Sequence, residues 1–224
     1  RGKYNFTDIL SLNKMGWMVG LQMGLETALF SITGIMIGWL GSIALAAHQV
    51  MVAISTLGFM IYYGVGAAVS VRVSNYFGRQ ELLHVRRTTM AGFHLILCLA
   101  VCACTVFLFS RELIGYLFTT SEEVIRVVST LVYILLAYQF GDALQITYAN
   151  SLRGIGDVIS MAVISFIGYF LIAMPVCYIC GFVLEWDITG IWIGYPIGLT
   201  LTGVMLCGRY YWKLKTKTQS KEFY

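Results

Sequence analysis

Six long apolar stretches, joined by short polar links, constrain this chain more than any other feature. They run roughly over residues 15–40, 44–71, 88–109, 127–150, 158–184 and 188–211. About 20 apolar residues suffice for a helix to cross a bilayer. Backbone groups find no water there, so only helices or closed barrels can span. No stretch shows the alternation of a barrel strand. Of the 224 residues, 58% are hydrophobic and 12% charged, where soluble domains carry about 25% charge. A disordered chain, a nucleic-acid-binding domain and a disulfide-rich secreted scaffold are excluded. The reading is an all-α integral membrane protein with the lipid bilayer as its solvent. It divides into an N-terminal segment, 1–14, a six-helix transmembrane lobe, 15–211, and a basic tail, 212–224.

The charges orient this array. Thirteen of the 15 Lys and Arg residues fall on one side, in the N-terminal segment, the second link, Arg153 and the tail. The other side holds Arg111 and Arg126 among Glu112, Glu122, Glu123, Glu185 and Asp187. By the positive-inside rule both termini are expected in the cytoplasm, with the tail as a lipid-facing anchor. No nucleic-acid partner is expected. Gly16, Gly20 and Gly24 on the first helix, and Gly190, Gly194 and Gly198 on the last, have the spacing of helix-packing grooves. Pro175 and Pro196 are candidate kinks. Cys177 and Cys180 have C-x-x-C spacing, but their apolar setting disfavours thiolates, and they read as small helix residues.

Two acids stand inside apolar stretches: Glu26 in GLQMGLETALFSITG and Asp142 in LLAYQFGDALQITYA. An acid at that depth costs about 2.5–3.5 kcal/mol on insertion scales. Counted along helices from the same side, Glu26 lies about 16 Å deep and Asp142 about 12 Å. If their helices adjoin, the carboxylates can share one site. No spanning stretch offers a Lys or Arg near that depth, so the acids either carry protons or hold a cation. Tyr138 and Gln145 share a helix face with Asp142, and Gln22 and Thr33 share one with Glu26. This oxygen-rich set suits a hard ion such as Na+, so Glu26 and Asp142 are its candidate ligands. Tyr62, Tyr63, Tyr138, Phe140, Tyr148, Phe166, Tyr169, Phe170 and Trp192 are aromatic residues that could line a cavity.

Several runs resemble the multidrug and toxic compound extrusion (MATE) transporters, NorM-like branch. They are LGSIALAAHQVMVAISTLGFMIYYGVGAAVSVRVSNYFG, YQFGDALQITYANSLRGIGD and GIWIGYPIGLTLTGVMLCGRYYW. The resemblance implies a twelve-helix fold of two six-helix lobes, with this chain as the C-terminal lobe and an N-terminal lobe outside it, as the rest of a longer sequence or separately encoded. It implies a coupling-cation site at Glu26, Asp142 and Tyr138, and a substrate cavity including Gln49, with Gln145 and Gln22 as further polar candidates. Arg153, in the SLRG turn, is expected to be structural. The expected function is secondary active multidrug efflux across the cell inner membrane, exporting an organic cation or amphipathic drug in exchange for Na+ or H+, without enzymatic activity and with no other cofactor. Three alternatives stay open: a lipid-linked oligosaccharide flippase, whose cavity would need basic residues; a non-transporting structural subunit; and an intramembrane aspartyl enzyme, which would want a G-x-G-D context that F-G-D-A does not give.

Overall fold

The computed structural model describes residues 6–222, side chains at 8 and 220–222 aside. It is all helical. The order is α1 (Phe6–Gly38), α2 (Ser42–Gly78), α3 (Leu82–Phe109), α4 (Arg111–Phe118), α5 (Glu122–Gly154), α6 (Val158–Val183) and α7 (Asp187–Glu222). All but α4 are long and apolar enough to cross a membrane. The helices overrun the apolar stretches. α1 already begins within the segment assigned to 1–14, and α7 carries its helix through the tail to Glu222. Arg1 and Lys3 lie outside the described residues.

The packing is centred on α5, which makes its most extensive contacts with α7 and α2; α3 covers α2 and α5, and α1 lies against α6. From Gly141 to Leu152 nearly every side chain of α5 is buried, polar ones included. The outer faces are apolar instead, with Trp17, Leu57, Leu95, Val106, Leu171 and Val204 all exposed. A water-soluble domain places its polar groups outside; this distribution suits a hydrocarbon solvent.

The short α4 had no counterpart among the sequence expectations. Eight residues cannot span, and its pattern is amphipathic. Ile114 and Gly115 pack inward, while Leu113, Tyr116 and Leu117 face out. α6 is also irregular: Ile167–Ala173 and Ile179–Val183 are π-helical and flank an α-helical turn holding Pro175. The missing Pro175 amide is thus accommodated by a change of helix type. Pro196 stays inside a continuous α7.

The two glycine triplets behave differently. A β-carbon at Gly194 would stand 2.9 Å from the Cys177 amide nitrogen, and one at Gly198 would stand 3.1 Å from the Ala173 Cα. The α7 triplet is therefore the seam against α6. At Gly16, Gly20 and Gly24 a β-carbon would meet nothing within 4 Å. Among the described residues no helix packs on the α1 triplet: that face borders an open hollow with Trp17 and Leu21. All six cysteines are free, and Cys177 is buried in the α6–α7 seam.

The turn between α5 and α6 fixes one end of the bundle. Gly156 has φ +77°, its amide donates to the Arg153 carbonyl, and the Asp157 amide donates to the Leu152 carbonyl. This is a Schellman cap, and glycine takes its left-handed position without strain. It aims Asp157 at α7, where the carboxylate accepts from Arg209 Nε at 2.7 Å, from Ser160 Oγ at 2.9 Å, and faces Lys213 Nζ at 4.0 Å. Burial pushes the Asp157 carboxyl up, but these donors and charges outweigh it and hold it below the usual carboxylate range. A carboxyl held low stabilises the fold fully above its ordinary value near 3.9, and loses that contribution as pH falls through the lowered value.

Two outcomes follow from this packing. Gly194→Ala should lower the melting temperature in detergent, at a cost of about 1–3 kcal/mol for overpacking, whereas Gly20→Ala should leave it unchanged or raise it by up to about 1 kcal/mol of helix propensity. Asp157→Asn should cost roughly 1–3 kcal/mol at pH 7, and a melting series should show this difference closing only below about pH 4. A gap that stayed constant down to pH 2 would mean that the ionised Asp157 is not what joins α6 to α7.

Candidate functional site

α1, α5 and α6 meet around one carboxylate. Glu26 Oε2 accepts hydrogen bonds from Gln22 Nε2 and from the Tyr169 hydroxyl, both at 3.3 Å. Gln145 Nε2 donates to the same Tyr169 oxygen at 2.6 Å. Gln22 is one turn from Glu26, so helical spacing alone aligns that pair. Tyr169 comes from the first π-helical stretch of α6. Glu26 is half-buried, while Gln22, Gln145 and Tyr169 are buried.

Asp142 lies on α5, fully buried, with neither oxygen hydrogen-bonded among the described residues. It makes no direct bond to Glu26, yet it is near enough for the two carboxylates to feel each other's charge, and Tyr138, one turn before Asp142 on α5, borders a cavity with Glu26. The ion pairs among the described residues are Arg111–Glu112, Arg209–Asp157 and Lys213–Asp157, so neither acid has a basic partner. The unpartnered set continues beyond Asp142: the Tyr62 hydroxyl and both amide atoms of Gln139 are buried and unbonded. Tyr62 interacts electrostatically with Asp142. A β-carbon at Gly58 would lie 3.1 Å from the Gln139 amide nitrogen, which puts that amide in the α2–α5 seam. Unsatisfied buried polar groups cost about 1–3 kcal/mol each, so this cluster calls for water or an ion. Its atoms are mostly oxygens, the donor set of a hard cation. Among the described residues no His, Cys and acid cluster would hold a transition metal.

Beside the acids lies a cavity of about 260 Å³ between α1, α2 and α5. Its wall includes Glu26 and Tyr138, the aromatic rings of Phe30 and Phe59, and the hydroxyls of Thr27, Ser55 and Thr56. A smaller cavity of about 20 Å³ on the other side of Glu26 is bordered by Gln22, Tyr63, Gln145, Asn150 and Arg153. Glu26, Met23 and Phe59 border both.

The structure thus brings Glu26, Asp142, Tyr138, Gln22 and Gln145 together. Gln49 stands apart. It is exposed, on the α2 face that carries Val52 and Thr56 further along, and it does not border the cavity. Thr33 does not join the site either. Its hydroxyl bonds the Leu29 carbonyl and the Tyr195 hydroxyl, closing α1 onto α7. Sequence reasoning placed Tyr62 and Tyr169 only in a broad aromatic set and missed Gln139. The available signal was position: Gln139 lies one turn before Asp142 on the same helix.

A family model described as MatE matches residues 19–179. The chain belongs to the MatE family. It is 34% identical over 220 residues to the multidrug resistance protein NorM of Photobacterium profundum, covering 96% of this chain and 47% of that protein. It is 32% identical over 214 residues to NorM of Vibrio cholerae, covering 93% and 47%. The chain therefore spans about half the length of the curated relatives it matches. Among solved structures, the eukaryotic MATE transporter AtDTX14 superposes with a TM-score of 0.86 at 20% identity, over 98% of this chain and 51% of that one. The Vibrio cholerae MATE transporter VcmN in its bent form gives 0.87 at 15% identity, over 96% and 49%. These likenesses establish the fold. With six apolar helices, this MatE chain is a multi-pass membrane protein.

The network around Glu26 is testable by itself. Tyr169→Phe and Glu26→Gln, singly and together, should show a coupling of about 1 kcal/mol in a double-mutant cycle of thermal unfolding. Strictly additive losses would place the two side chains in separate environments.

Proposed function

We propose that this chain is one lobe of a two-lobe secondary transporter that exports organic cations or similar amphipathic molecules in exchange for Na+ or H+. The observation that carries this reading is the pair Glu26 and Asp142, held at membrane depth without a basic partner and beside an aromatic cavity. Two uncompensated carboxylates in an apolar setting are unstable as anions. They become favourable when a cation or a proton is supplied, which is what a coupling site requires. Glu26, Asp142 and Tyr138 are its residues; Tyr62 and Gln139 supply further oxygens behind Asp142 that a Na+ ion could use.

The cavity suits an organic cation. Its one ionisable wall group besides Tyr138 is an acid, and Phe30, Phe59 and Tyr138 offer π faces to a positive charge. A phosphate-bearing substrate would want the opposite charge there. Gln22 and Gln145 serve this site by fixing the Glu26–Tyr169 network, and Gln49 extends the same α2 face towards the cavity from outside. Drug and coupling ion both draw on Glu26, so binding one changes the affinity for the other, which is the differential affinity that coupled transport needs. In this reading the lobe is a transporter element and not an enzyme, and it works against an N-terminal lobe. It sits in the cell inner membrane with its basic end, and both termini, in the cytoplasm.

The test is efflux of a fluorescent organic cation from cells carrying the transporter of which this chain forms one lobe. Export should rise with external Na+, and Glu26→Gln and Asp142→Asn should each lower it roughly tenfold or more. Efflux that ignores Na+ but collapses with the pH gradient would keep the carboxylates and make H+ the coupling ion. Undiminished, ion-dependent efflux in both variants would overturn the site.

A further inference from the structure

The basic end of the bundle carries a groove that takes no part in the site above. It lies where α3 begins and α7 continues past the bundle, encloses about 480 Å³, and is walled by Leu82, Leu83, Arg86, Tyr211, Leu214 and Lys215. Its two cations come from different helices. The Arg86 guanidinium stands 5.7 Å from the Tyr211 ring centroid, and the Tyr211 hydroxyl donates to the Met90 sulfur at 3.3 Å. Arg86 is thereby held near the groove by a ring that is itself anchored. Lys215 lies one turn beyond Tyr211 on α7, on the same face.

Among the described residues neither cation has an ion-pair partner. Among the described residues the ion pairs at this end both belong to Asp157, which takes Arg209 and Lys213. Arg86 and Lys215 are exposed. Beside them Leu83 is 59% exposed, an apolar side chain next to a double positive charge. A soluble anion would use the cations and leave Leu83 wet. A neutral lipid would use the leucines and leave the cations unanswered. An amphiphile with a phosphate head and hydrocarbon chains uses both. The groove also stands at the right depth for one, because α2 ends at Gly78 and α3 begins at Leu82, which puts it at the rim of the apolar belt. Basic pockets between helices at this level bind anionic lipid headgroups.

We propose that this groove is a binding site for an anionic phospholipid, its phosphate between Arg86 and Lys215 and its first methylenes against Leu82, Leu83 and Leu214. The lipid would join α3 to α7, which touch across this end through few side chains, among them the Thr89–Tyr210 hydroxyl pair at 2.7 Å.

The experiment titrates the purified transporter of which this chain forms one lobe, in detergent micelles, with phosphatidylglycerol, phosphatidylcholine or inorganic phosphate, reading bound lipid by native mass spectrometry and melting temperature in parallel. Phosphatidylglycerol should bind preferentially and raise the melting temperature. Arg86→Gln combined with Lys215→Gln should weaken it roughly thirtyfold, at about fivefold per cation. Arg72→Gln combined with Arg87→Gln removes the same charge from exposed positions off the groove, and should change binding by less than about twofold. All four substitutions replace exposed side chains, so the lipid-free melting temperature checks that each variant folds. Equal binding of the two lipids, equal losses in the two double variants, or equal stabilisation by inorganic phosphate would each overturn the proposal.

Discussion

α5 sets the terms for the rest of the lobe. It carries Gln139, Asp142, Gln145, Thr147, Asn150 and Ser151 at or near membrane depth, and hydrocarbon can satisfy none of them. The face that carries them must therefore be covered by protein, and α2, α3 and α7 provide most of that cover. Its hydroxyls turn back onto their own helix, with Thr147 bonding the Ala143 carbonyl and Ser151 the Thr147 carbonyl. Asn150 does the same with Ile146. Helical self-bonding does not reach the acid and Gln139, whose side-chain atoms are among those left without partners.

The two acids are consequently treated in opposite ways. Glu26 is tied into a network of three helices and opens onto a cavity, whereas Asp142 is enclosed and has no bonded partner. Donors from two other side chains hold the first carboxyl where it stands. The second has no hydrogen-bond donor among the described residues. Tyr138, buried on the same helix as Asp142, borders the cavity onto which Glu26 opens.

Most of the architecture was legible because bilayer thickness and charge asymmetry leave few options for six apolar stretches. That both acids would be shielded by protein was legible too, since an acid in an apolar stretch is costly against lipid, and Asp142 is buried and Glu26 half-buried. What the sequence did not carry was lateral placement. Thr33 has the right phase to stand near Glu26, but α7 lies on that side and Tyr195 takes its hydroxyl. Gln49 likewise shares a face with cavity residues and stays outside the cavity wall. The glycine triplets have the same spacing, and only the α7 one has a helix against it. Helical phase says which residues share a face; which neighbour that face meets is decided by tertiary packing. The π-helical turns of α6 were out of reach for a related reason, since apolar runs look alike in either helix type.

The two donors on Glu26 also differ in when they become available. Gln22 lies four residues away and can reach the carboxylate as soon as α1 is helical. Tyr169 is synthesised 143 residues after Glu26. During that interval α1 must reside in or near the bilayer with an acid whose donor belongs to its own helix. Gln22 is therefore an escort for Glu26 through membrane insertion before it is a member of the assembled site, and the arrival of the fifth spanning segment is what turns a locally tolerated acid into a held one.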